Sequence, residues 1–174
     1  MKSVLWISLS LFLAISPACK SSDGDSGKAS ASTTHEEVKE TKASAENQGK
    51  TIHLTKQDFL NKVMDYEKNP EKWVFQGDKP CLIDFYADWC APCRKTAPIL
   101  EELAQEYAGQ IHIYKVDTEE ERELASVFGI RSIPSFLYCP VDGKPAMLSG
   151  IAQTNEETKQ MFRERIDQIL LKKE

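Results

Sequence analysis

The stretch Cys81-Leu82-Ile83-Asp84-Phe85-Tyr86-Ala87-Asp88-Trp89-Cys90-Ala91-Pro92-Cys93 decides how this chain is read. Its first six residues are apolar except for Asp84, a run of strand length that includes two aromatics. Its last five place two cysteines three positions apart, with a proline between them. A helical pattern follows: Ile99, Leu100, Leu103 and Tyr107 share one face, and Gly109 stops it. Pro98 lies inside that helix and is expected to kink it. A strand therefore delivers two thiols to the first turn of a helix. There, unpaired backbone N–H groups and the helix dipole favour an anion, which lowers a thiol pKa below its ordinary value of about 8.5. Cys90 stands at that position and Cys93 one turn behind it, and such a pair can cycle between dithiol and disulfide. A bare pair at this spacing is equally compatible with a structural staple or part of a metal site.

Around this stretch, strand and helix signals alternate. Ile52-His53-Leu54 reads as a short strand. Thr55 with Asp58 is a capping box opening a helix that carries Phe59, Leu60, Val63, Met64 and Tyr66 and ends at Asn69-Pro70. Ile111 to Val116 is the next strand. Thr118 and Glu121 are expected to cap a helix to Phe128, stopped by Gly129. Ser135–Cys139 and Ala146–Ser149 read as a hairpin around Asp142-Gly143. Thr154 and Glu157 cap a last helix with Met161, Phe162, Ile166, Ile169 and Leu170 on one face. Strands alternating with helices, then a hairpin and a closing helix, predict an α/β domain: a mixed central sheet flanked by helices on both faces.

The element order, the string Trp89-Cys90-Ala91-Pro92-Cys93 and the Ile133-Pro134-Ser135 turn resemble the thioredoxin family over about Ile52 to Leu171. Asp84 to Cys93 follow the family pattern nearly residue for residue, and Lys115 and Gly150 fall at family positions. The resemblance implies a thioredoxin fold and protein-disulfide reduction. Cys90 would attack the substrate disulfide and Cys93 would resolve the mixed disulfide. Asp84, an acid in an apolar strand, would help deprotonate Cys93, with Lys115 as its neighbour. Ile133-Pro134 would be a cis bond facing the dithiol. Trp89, Ile133, Pro134, Gly150 and Ile151 would form the contact surface for an extended substrate strand. The dipeptide Ala91-Pro92 is closer to the Gly-Pro of reducing thioredoxins than to the Pro-His of strong oxidants. It points to a potential nearer thioredoxin's about −270 mV than the about −120 mV of such oxidants. A reader of a different class, a thiol adaptor, metal carrier or chaperone that keeps the fold without turnover, has no physical need for Cys90, Cys93, Asp84 and Pro134 together.

The ends of the chain bear on location. Lys2, the apolar run Val4 to Ile15, and small residues before Cys19 read as a signal peptide over 1–18, too short for a comfortable membrane span. Cys19 at the cleavage edge resembles the lipidated cysteine of bacterial lipoproteins. Cleavage without lipid and an uncleaved anchor are the alternatives. Residues 19–50, rich in Ser, Ala, Thr, Gly, Lys and Glu, read as a flexible linker, and 51–174 as the thioredoxin domain. The expectation is a monomeric, extracytoplasmic protein anchored to a membrane through lipid on Cys19. It would act on disulfide-bonded proteins and draw electrons from a membrane reductase, with no cofactor or metal. A formal net charge of −5 without any basic run speaks against nucleic acid. Two further cysteines, Cys81 and Cys139, fall on strands expected to be antiparallel neighbours. They read as buried, inert thiols, or else as a cross-strand disulfide. With Cys90 and Cys93 they lack the two close pairs of a zinc knuckle. His53 and His112 read as structural, and His35 as a solvated linker residue.

Overall fold

The computed structural model describes residues 49–173. The expected signal peptide over 1–18, Cys19, His35 and nearly all of the expected linker lie outside the described residues. No helix among the described residues is long and apolar enough to cross a membrane.

The elements follow the order β1 (Ile52–His53), α1 (Lys56–Lys62), β2 (Cys81–Tyr86), α2 (Ala91–Glu106), β3 (His112–Asp117), α3 (Arg122–Val127), β4 (Ser135–Cys139), β5 (Ala146–Ser149) and α4 (Asn155–Arg165). A π-helical turn, Ile166–Leu170, continues α4. The five strands form one mixed sheet in the order β1-β3-β2-β4-β5. β1, β3 and β2 run parallel, and β4 and β5 are antiparallel to their neighbours. This is the mixed α/β architecture expected from the sequence.

Side chains alternate across a strand with a period of two, and the two halves of the core obey that rule. Leu82, Ile113, Phe136 and Tyr138 face α2 and α4, packing with Leu100, Leu103, Phe162 and Ile166. Cys81, Ile83, Phe85, Tyr114, Val116 and Leu137 face the other way, toward Phe59 and Val63 around α1 and Leu124 of α3. Asp84 has the parity of Leu82. The pleat therefore carries its carboxyl into the half of the core that α2 covers, and α2 begins at the dithiol.

Local signals fix several boundaries. Thr55 and Asp58 form a reciprocal capping box on α1, as do Thr154 and Glu157 on α4. Gly109 and Gly129, just past the ends of α2 and α3, have φ of 78° and 61°, a region glycine enters without a Cβ clash. α2 continues through Pro98 rather than ending there.

Two boundaries differ from the sequence reading. The first helix stops at Lys62, not at Asn69-Pro70. The N–H groups of Val63 and Met64 both donate to the Phe59 carbonyl, and the Val63 carbonyl accepts the N–H of Gln76, so the regular i→i−4 ladder ends there. Val63 and Met64 are buried all the same, from the turn that follows. The helix before Gly129 begins at Arg122, with Glu121 in the cap position and no side-chain cap bond. Thr118 does not cap it. Its backbone N–H and its Oγ1 both donate to the Tyr86 carbonyl, which ties the end of β3 to the end of β2.

Phe162 is fully buried and meets Phe136 edge to face at 4.8 Å between ring centroids. It packs α4 against β4 within the core cluster. Phe162→Ala should cost about 3–5 kcal/mol, read as a lower urea midpoint at unchanged slope. A loss below about 1 kcal/mol would mean that α4 contributes little to the core.

Candidate active site

β2 ends at Tyr86, and the chain turns through Ala87, Asp88 and Trp89 into α2. The turn is held by Cys90 N–H donating to the Ala87 carbonyl at 3.1 Å and by the Arg94 guanidinium donating to the Asp88 carbonyl at 2.9 Å. Cys90 occupies the N-cap of α2, and its Sγ accepts the backbone N–H of Cys93 at 3.2 Å. The sulfur thus sits where a helix presents unpaired donors, the setting that favours a thiolate. Pro92 lies in the first turn, where its missing N–H removes no helical bond. The two cysteines are joined as a disulfide, with Cα atoms 5.2 Å apart. Both are nearly sealed from solvent at 3% exposure, whereas Trp89 beside them is 66% exposed. One face of the couple is buried behind, and its approach is flanked by an open aromatic ring.

Ile133-Pro134 is a cis peptide bond, and Ile133 packs with Cys90, Cys93 and Ala87. Gly150 N–H donates to the Pro134 carbonyl at 3.3 Å, so the loop after β5 rests on the cis-proline loop. Gly150 has φ of 83°, which reserves this turn for glycine. Ile151, next in the chain, is half-buried and packs against the core cluster to which α2 and α4 contribute.

Behind the couple, Asp84 is 1% exposed, and its Oδ1 has no hydrogen-bond partner among the described residues. Burial pushes its carboxyl from 3.8 up to about 7, and the positive charge of Lys115 draws it partly back. Asp84 and Lys115 are direct partners in the parallel pairing of β2 with β3. Even so, no ion pair joins them. The Lys115 ammonium lies over the Tyr86 ring, 4.6 Å from its centroid, a contact worth roughly 0.5–2 kcal/mol. The cation is thus close enough to act on Asp84 through space but is occupied by the ring. Tyr86 is a functional neighbour that the sequence reading missed. Its two-residue spacing from Asp84 was the available signal, since that spacing puts both on one face of β2. Asp84, Tyr86, Asp88, Cys93, Arg94 and Lys115 line a cleft of about 70 Å³ that links the buried carboxyl and the inner cysteine to the surface.

This arrangement exchanges thiols for disulfides: an outer sulfur at a helix N-terminus, an inner sulfur behind it, and a carboxyl that gains or loses a proton near neutral pH. Fold and site together define a thiol–disulfide oxidoreductase. A family model described as Thioredoxin matches residues 50–164. The thioredoxin of Borreliella burgdorferi is 49% identical over 102 residues, covering 59% of this chain and 86% of that protein. Thioredoxin 1 of Nostoc sp. is 46% identical over 77 residues, covering 44% and 72%. A chloroplastic M-type thioredoxin of Pisum sativum is 49% identical over 73 residues, covering 40% of this chain and 42% of the pea protein, less than half of its length. The chain belongs to the thioredoxin family.

Asp84 also affects stability. Its folded pKa of about 7 lies above the ordinary 3.8, so the native state holds the proton more tightly than the unfolded chain does. On this account stability is greatest at low pH and falls as pH rises from about 4 to about 7. Asp84→Asn removes the buried charge. At pH 8 the variant should be more stable than the parent, by up to a few kcal/mol, and at pH 4 the gain should vanish. Equal denaturation midpoints at pH 8 would show that ionised Asp84 is not destabilising.

Proposed function

We propose that this protein is an extracytoplasmic protein-disulfide reductase, held at a membrane by lipid on Cys19. The observation that carries the reductase reading is the Cys90–Cys93 couple at the start of α2, with Asp84 buried behind it and cis-Ile133-Pro134 packed beside it.

The Cys90 thiolate attacks one sulfur of a substrate disulfide. A mixed disulfide forms and the first substrate thiolate leaves. The Cys93 thiol gives its proton to ionised Asp84, and its thiolate attacks Cys90 Sγ. The second substrate thiolate leaves, and Cys90–Cys93 becomes the disulfide. Two electrons pass to the substrate, and the proton on Asp84 leaves through the cleft beside Lys115. The extended substrate segment is held between Trp89 and the cis-proline loop, pairing with the backbone of Ile133. Ala91-Pro92 supports a reducing potential, and a reductant in an oxidising compartment must be recharged, here by a membrane reductase. The lipid anchor and location are supported by the signal-like stretch of residues 1–18 followed by Cys19, and the polar stretch after it supplies a tether.

Insulin reduction with dithiothreitol tests the activity. Turnover should rise with pH through about 7 as Asp84 ionises, and Asp84→Asn should turn over several-fold more slowly and lose that rise. A folded parent protein that does not reduce insulin would end the enzyme reading in favour of a binding module. Equilibration of the couple with glutathione should give a potential near thioredoxin's about −270 mV; a value above about −180 mV would make the protein an oxidant or isomerase. In a bacterial host, the full chain should partition into detergent and take up fatty acid, and Cys19→Ala should abolish both. Uptake that survives Cys19→Ala would refute the anchor.

A further inference from the structure

The couple at the head of α2 leaves two cysteines unused. Cys81 opens β2 and Cys139 closes β4, and they are direct partners in the antiparallel register of those strands. Both belong to the apolar cluster that faces α1 and α3. They are 1% and 0% exposed and are free thiols in this structure. The two are in contact: burial first, and then the thiol of Cys81, hold the Cys139 thiol well above its ordinary value.

Opposed residues of an antiparallel pair have Cα atoms about 4.5 or 5.5 Å apart. Both spacings lie within the about 4.4–6.8 Å that a disulfide spans. In-register partners also point to the same face of a sheet, so the two sulfurs converge. We propose that Cys81 and Cys139 form a second disulfide, joining β2 to β4, made as the chain folds in the presence of a low-molecular-weight disulfide. One of the two thiolates attacks a sulfur of the reagent and releases one reagent thiol. The other attacks the resulting mixed disulfide and releases the second. The protein loses two electrons and two protons, and the reagent gains both as two thiols.

The bond is structural rather than part of turnover. β2 rises about 3.3 Å per residue, so Cys81 lies about 17 Å from Tyr86, with the catalytic couple beyond that and behind the opposite face of the sheet. The couple of the same molecule cannot reach it, and burial shuts out the couple of another. Oxidation therefore belongs to folding, when the strands have not yet closed over the thiols. Once made, the bond closes a loop that contains both the dithiol and the cis-proline loop, and such a loop restricts the unfolded chain far more than the short Cys90–Cys93 loop does.

The test uses the full chain with Cys19→Ser, so that only four cysteines are counted. The protein is refolded in reduced and oxidised glutathione, unfolded without reductant, alkylated and mapped by mass spectrometry. The expected result is no alkylated cysteine and a peptide pair joined through Cys81 and Cys139, separate from the Cys90–Cys93 peptide. Alkylation at both 81 and 139, or their appearance only in intermolecular dimers, overturns the proposal. A second measurement keeps the catalytic couple out of the readout. The same refolded chain carrying Cys90→Ala and Cys93→Ala should melt several degrees lower when heated with dithiothreitol. An unchanged melting temperature overturns the proposal as well.

Discussion

Pairing of β2 on both of its edges is the constraint on which the rest of this structure depends. β3 lies on one side and β4 on the other, each over five or six residues in unbroken register. That register sets Asp84 opposite Lys115, and it brings Ser135, the residue after the cis-proline, opposite Phe85 at the end of the strand. The strand then ends where α2 begins. Dithiol, carboxyl, cation and cis-proline loop are thus positioned by one ladder of backbone hydrogen bonds. A slip of a single residue would turn Asp84 to the opposite face and exchange the two halves of the core.

The site works against the stability of the fold that holds it. An apolar residue at position 84 would suit the neighbourhood of Leu82, Phe136 and the first turns of α2. The chain instead buries an orphaned carboxylate oxygen, a departure from close apolar packing of the kind that collects at functional sites. The cation that could have neutralised it rests on an aromatic ring. This division of labour keeps the carboxyl able to change its charge near neutral pH, which a tight ion pair would prevent.

Features written in local patterns were legible from the residues alone. The Cys81–Tyr86 strand, the hairpin around Asp142-Gly143, both capping boxes and the helix start at the dithiol each depend on a few neighbouring residues, and each formed as read. The end of α1 and the role of Thr118 were not legible. The Gln76 N–H and the Tyr86 carbonyl decide them, and both come from outside the segment concerned. The cation over the Tyr86 ring depends on the pairing of two strands and on a rotamer, neither of which spacing reveals. The packing of Ile151 against the cluster that α2 and α4 share depends in the same way on elements distant in sequence.

The margins of the sheet carry a consequence of their own. β1 contributes only two residues, and β5 only four. Short outer strands expose few unsatisfied N–H and C=O groups. A protein that acts on disulfide-bonded proteins risks having extended segments of them zip onto its own borders as extra strands. Here such a guest finds almost no border to extend, and repeated encounters need not seed a growing aggregate.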